Sequence, residues 1–163
     1  VSYAATTTVP IERSRAEIER LLLAKGASKF MSAFDQAQGK AIIGWTMEGR
    51  MVRLLIPLPD PAAREFTERF YRGRPTYTKL SLEAARVKWE QACRTRWRAI
   101  LLILKAKFEA VEAGISSVER EFLADTLLAN GQTVGHWLAP QLESMYANGR
   151  MPALLPGLGE TGR

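Results

Sequence analysis

Apolar residues along the chain recur at helical spacing, then at strand spacing, then at helical spacing again. Ile11, Ile18, Leu21 and Leu22 fall on one face of a helix that continues through Leu23. Pro10 stands where its fixed φ is tolerated at a helix start, and Gly26 follows Lys25 in the position of a C-terminal cap. The spacing therefore predicts a helix over 11–25. Three strands are predicted next, over 30–35, 41–47 and 51–58. Gln36 to Gly39 reads as the first turn, and Glu48-Gly49 as a tight second one, with Gly49 supplying a positive φ. Pro57, Pro59 and Pro61 end the sheet, because each lacks a ladder donor.

Between Ala62 and Leu80 the pattern weakens. Phe66, Phe70 and Tyr71 suggest a short helix, and 72–77 reads as a loop. Ser81 then caps a long helix that ends at Gly114. Along it Trp89, Cys93, Trp97, Ile100, Leu104, Phe108 and Val111 step by four and three, which marks a core stripe. From Ala99 to Leu104 the helix is apolar on all sides and calls for cover by the C-terminal region or another subunit. A short element at 122–128, a turn at Asn130-Gly131 and a final helix over 133–148 follow, with a kink or restart expected at Pro140. Residues 151–163 read as an extended Pro/Gly tail. With no repeat and no linker, the expectation is a single α+β domain over 1–150: a helix, a three-stranded antiparallel meander, a long helix and a short C-terminal helix.

Composition adds limits. A chain of 163 residues can bury roughly 70% of the surface it exposes when unfolded, so its core needs no metal or crosslink. Its one cysteine, Cys93, excludes an intrachain disulfide, fits a reducing cytoplasm, and reads as a buried structural thiol. No apolar run reaches the ~18 residues that span a membrane, and Val1 to Thr8 lacks the pattern of a signal peptide.

Charge changes the picture more. The formal net charge is +6. Residues 64–107 hold twelve basic and four acidic side chains, so this one segment carries the whole excess. Such asymmetry points to a polyanionic partner, against the plainer reading of a solvated basic face. At 100° per residue Arg94, Arg98 and Lys105 fall within about 40° of one another. They form a stripe expected opposite the core stripe and suited to phosphate. Arg72, Arg74, Tyr77 and Lys79 in the preceding loop add cations and an aromatic, the ingredients for holding a single strand and stacking a base.

Other chemistry is thinner. One histidine, His136, and one cysteine cannot assemble a zinc site of ordinary spacing. No phosphate-cradling Gly-Lys loop occurs, and no cofactor is implied. Asp35, Glu48 and Asp60 at predicted strand ends, with Lys40 nearby, are candidates for a magnesium-dependent nuclease, although any meander carries acids in its turns.

Several stretches resemble a family of small, mostly uncharacterised proteins of tailed bacteriophages and prophages. They are Val9-Pro10-Ile11-Glu12-Arg13-Ser14, Leu58-Pro59-Asp60-Pro61, Glu90-Gln91-Ala92-Cys93-Arg94, Lys105-Ala106-Lys107 and Glu109 to Ile115. Glu121-Phe122-Leu123-Ala124, Gly135 to Gln141 and Met151 to Pro156 complete them. The resemblance implies a phage gene product acting in the bacterial cytoplasm and transfers no active-site residues. A short meander packed on a long basic helix is also similar in plan to phage single-strand annealing proteins, a likeness of architecture that does not fix function. The leading expectation is a non-catalytic protein of annealing or recombination that binds single-stranded DNA and assembles into a homo-oligomeric ring or filament. Its contacts would be Arg72, Arg74, Tyr77, Lys79, Arg94, Arg98 and Lys105. An interaction protein docking on a host or phage machine such as polymerase is the alternative, and the nuclease is third.

Overall fold

Alternation along β2 (Lys40–Met47) organises the molecule. Ala41, Ile43, Trp45 and Met47 point one way and are buried. β2 is the central strand of an antiparallel sheet in the order β1-β2-β3, with β1 at Lys29–Asp35 and β3 at Arg50–Pro57. Trp45 stands opposite Phe30 on one side and Val52 on the other, which sets the buried face of all three strands. The turn between β2 and β3 holds Glu48 at φ 50° and Gly49 at φ 74°. Two left-handed residues in succession form the tight hairpin whose twist matches the strands.

The computed structural model describes residue 4 and residues 6–35, 39–70 and 77–149. Two helices cover the buried face of the sheet. α1 (Ile11–Ala24) contributes Ile18 and Leu22, and α3 (Leu82–Glu112) contributes Trp97, Leu101, Leu104 and Phe108. Phe122 closes the core at one end, its ring 5.3 Å from that of Trp45 and edge-on to it. The fold is therefore α+β, as the alternating and helical spacings predicted.

Several expectations are corrected. The buried positions of α3 are Cys93, Trp97, Leu101, Leu104 and Phe108. Leu101 thus joins Leu104 among the fully buried residues, whereas Ile100 packs at the edge of the core and Trp89 and Val111 are half-buried. The apolar girdle of α3 is not fully covered: Ile103 remains 48% exposed. The short helix expected around Phe66 to Tyr71 is only α2 (Arg64–Thr67), and Phe70 belongs to a strand. β4 (Glu68–Phe70) pairs antiparallel with β5 (Tyr77–Lys79), so Tyr77 lies in a hairpin rather than a loop. Three-residue strands carry too short an alternation to be read from sequence.

After α3 come α4 (Val118–Phe122), one 3-10 turn (Leu123–Asp125) and α5 (Val134–Asn148). Thr126 bridges Val52, and Leu127 N–H donates to Met51 O at 2.8 Å, so this connection occupies part of the outer edge of β3. Thr133 caps α5, which runs unbroken through Pro140 instead of restarting there. The tail expected over 151–163 lies outside the described residues.

Candidate nucleic-acid interface

Length separates α3 into two parts. Its 31 residues span about 46 Å, whereas the eight residues of β2 span about 27 Å. The helix overhangs the sheet. From Cys93 onward it lies in the core, and its first third leans on α2 and the Pro59 segment instead. Buried Phe66 lies on this side, and Trp89 Nε1 donates to Pro59 O at 2.7 Å. A groove of about 400 Å³ runs here, lined by Pro59, Phe66, Ala92 and Thr95 with Lys88 and Arg96 as its cations and Glu65 as its acid.

The β4–β5 hairpin continues from this overhang. Leu80 N–H donates to Thr67 O at 2.8 Å, which fastens the base of the hairpin to α2. Register sets Lys79 opposite Glu68 and Tyr77 opposite Phe70. Tyr77 and Lys79 are two residues apart and share one face. Both are exposed, and the Arg64 guanidinium stands 5.7 Å from the centre of the Tyr77 ring. Arg72 and Arg74, between the two strands in sequence, lie outside the described residues.

The stripe expected on α3 is placed differently from its prediction. Arg94, Arg98 and Lys105 lie about 80° from the centre of the buried stripe, on a flank, and not opposite it. The flank turns toward α1. Arg98 Nη1 donates to Glu17 Oε2 at 2.7 Å, and its hydrogen bond is the main reason the Glu17 carboxyl is held below its ordinary value. Arg94 donates to Gln91 Oε1, and Gln91 Nε2 donates in turn to Thr7 O. The recess beside Arg94 also contains Glu12 and Glu90, which oppose an incoming phosphate. Lys105 is exposed and has no acidic partner among the described residues.

Lys88 and Arg96 are cations of α3 that lie outside the stripe of Arg94, Arg98 and Lys105. Lys88 Nζ reaches Glu65 O at 3.5 Å, and exposed Arg96 has no ion pair among the described residues. Their spacing of eight was visible in the sequence. What was not visible is that α2 packs beside them and walls a groove.

The acids considered for a metal site are not brought together. Asp35 pairs with Lys40 at one end of β2, and Glu48 lies past its other end. No group of three His, Cys, Asp or Glu suited to a metal occurs among the described residues. Cys93 is buried, and desolvation pushes its thiol up, away from the reactive thiolate. His136 is exposed at the start of α5, where its backbone N–H meets the Thr133 hydroxyl. Among the described residues no helix is long and apolar enough to cross a membrane.

The architecture is thus an α+β domain with a basic hairpin and helix overhang. No protein-family model, curated protein or solved structure matches the chain.

Proposed function

We propose that this protein binds single-stranded nucleic acid, DNA in particular, through the β4–β5 hairpin and the overhanging part of α3. The observation that carries the reading is that α2 touches both basic features: Arg64 stands over exposed Tyr77 and Thr67 O holds the base of the hairpin that carries Lys79, while Glu65 and Phe66 line the groove whose cations are Lys88 and Arg96. Phosphates would lie along the cations, and a base would stack on Tyr77, which already offers its ring to Arg64. Arg72 and Arg74, which fall between β4 and β5 in sequence, would add positive charge to this interface. Arg94 and Arg98 have the lesser part, because their guanidinium groups are engaged within the fold.

The function is non-catalytic in this reading. Its setting is annealing or recombination in a bacterial cytoplasm, in keeping with the phage resemblance of the sequence. Self-association belongs to it as well, since one small domain covers only a few nucleotides. A protein-docking role is the second reading. It is favoured by α5, which has no buried residue and leaves Trp137, Leu142 and Tyr146 exposed.

The test is anisotropy of a labelled oligo-dT across a range of salt, with and without magnesium. The logarithm of affinity should fall with the logarithm of salt by about 0.7 for each phosphate contacted. An intact oligonucleotide in magnesium accords with a non-catalytic role, and cleavage overturns it. Absence of binding at low salt overturns the nucleic-acid reading.

A further inference from the structure

The three-stranded sheet has two outer edges, and they are treated differently. The edge of β3 is partly occupied by Thr126 and Leu127. Along β1, Lys29–Asp35, no described segment pairs with the outer edge. The strand carries no proline, and Phe34 and Met31 on it are 57% and 52% exposed. An open edge with exposed apolar side chains is a template for another strand.

Leu58 N–H donates to Gly39 O, in register with the β2–β3 ladder, where Ala41 faces Ile56 and Ile43 faces Leu54. Odd-numbered residues of β2 therefore bond to β3, and even-numbered ones bond to β1, because antiparallel bonding alternates. Their β1 partners are Met31, Ala33 and Asp35, with Lys29 opposite Thr46. Phe30, Ser32 and Phe34 consequently turn their N–H and C=O groups outward.

We propose that β1 pairs edge to edge with β1 of a second copy of this chain, antiparallel and centred on Ser32, so that two meanders form one continuous sheet. The sequence of the strand, Lys-Phe-Met-Ser-Ala-Phe-Asp, is self-complementary about that centre. Ser32, whose hydroxyl accepts from Arg15 of its own chain, faces Ser32 of the second copy, and Phe30 faces its Phe34. Both are positions whose backbone groups point outward, so each pair exchanges two hydrogen bonds. On the opposite face Met31 meets Ala33. At each end Lys29 meets Asp35 of the second copy in a position without backbone hydrogen bonds, where side chains approach most closely. Asp35 stands opposite Lys40 within its own sheet, so the second copy's Lys29 arrives on its other side. A two-fold contact of this kind uses the same patch twice and closes at two chains. It is independent of nucleic acid and differs from the head-to-tail contact that a ring or filament needs.

The charge pairs select the occupant and supply the test. Lys29→Asp alone sets Asp against Asp35 at both ends, and Asp35→Lys alone sets Lys29 against Lys at both ends. Each variant should be monomeric, while their equimolar mixture restores both pairs and should dimerise. Light scattering of the full chain at micromolar concentration, without nucleic acid, reads the mass. The parent should show twice the 18.2 kDa of the chain. Amide exchange at Phe30, Ser32 and Phe34 should be slower in the parent than in either variant. A monomeric parent, a dimer indifferent to the single changes, or a mixture that stays monomeric overturns the proposal. Loss of oligonucleotide binding is read separately and leaves it untouched.

Discussion

Arg98 Nη1 lies 2.7 Å from Glu17 Oε2, and this contact ties the long helix to the first one across 81 residues of sequence. The two side chains are about a quarter and a fifth exposed. A cation held this way serves the α1–α3 packing, and its phosphate-binding capacity is correspondingly reduced.

Glu17→Gln should therefore lower stability at neutral pH by roughly 0.5 kcal/mol, the scale of a largely solvent-screened pair. The folded-state carboxyl is held below its ordinary value, chiefly by the Arg98 hydrogen bond. Its contribution is present above the unfolded carboxylate pKa and disappears as pH falls through the folded one. Urea titrations should accordingly show parent and variant converging in acid. A gap that persists below the carboxylate range would place the effect elsewhere.

Binding should follow the groove and not the flank. Lys88→Gln with Arg96→Gln should weaken oligonucleotide affinity and reduce the salt slope by about 1.4, two contacts' worth. Arg98→Gln should change the slope less. The opposite ranking in anisotropy titrations would move the interface to the α1 side of α3.

Ser14 is fully buried on α1, and its hydroxyl has no hydrogen-bond partner among the described residues. Ser14→Ala should stabilise the fold by about 1 kcal/mol, since it removes an unsatisfied polar group and adds a better helix former. A higher urea midpoint checks this, and a lower one would reveal a partner for the hydroxyl.

Two glycines should respond differently to a methyl group. A Cβ at Gly135 would lie 2.9 Å from the backbone oxygen of Ala124, which cannot swing aside. Gly135→Ala should cost about 1–3 kcal/mol, the usual scale of overpacking. At Gly44 the close atom is the Met31 side chain, at 2.8 Å, and a rotamer change relieves it. Gly44→Ala should be milder in thermal melts, and equal losses would contradict this reading.

Asp125 is half-buried in the turn after α4, and desolvation pushes its carboxyl up, against the pull of Lys107. The folded state then holds its proton more tightly than the unfolded one. Stability falls as pH rises from the unfolded pKa through the folded pKa. Asp125→Asn should be more stable than the parent above that window and equal to it below. Thermal melts in acid and at neutral pH compare the two.

Period and punctuation in the sequence were enough for the helix at 11–24, the meander and the cap at Ser81, because each depends on neighbours within one or two turns. The segment of excess positive charge was equally legible, being a sum over residues. Tertiary packing decided the rest. Whether Ile100 or Leu101 entered the core depended on where the sheet met α3. Whether Arg98 faced solvent or Glu17 depended on α1 lying alongside. The pairing of Glu68–Phe70 with Tyr77–Lys79 joins segments too short to show a period, and the groove lined by Glu65 and Phe66 on one side and Lys88 and Arg96 on the other exists only because α2 packs beside α3. Periodicity along one helix places side chains by angle. Which of those angles are covered is set by segments distant in sequence, and only the folded chain brings them together.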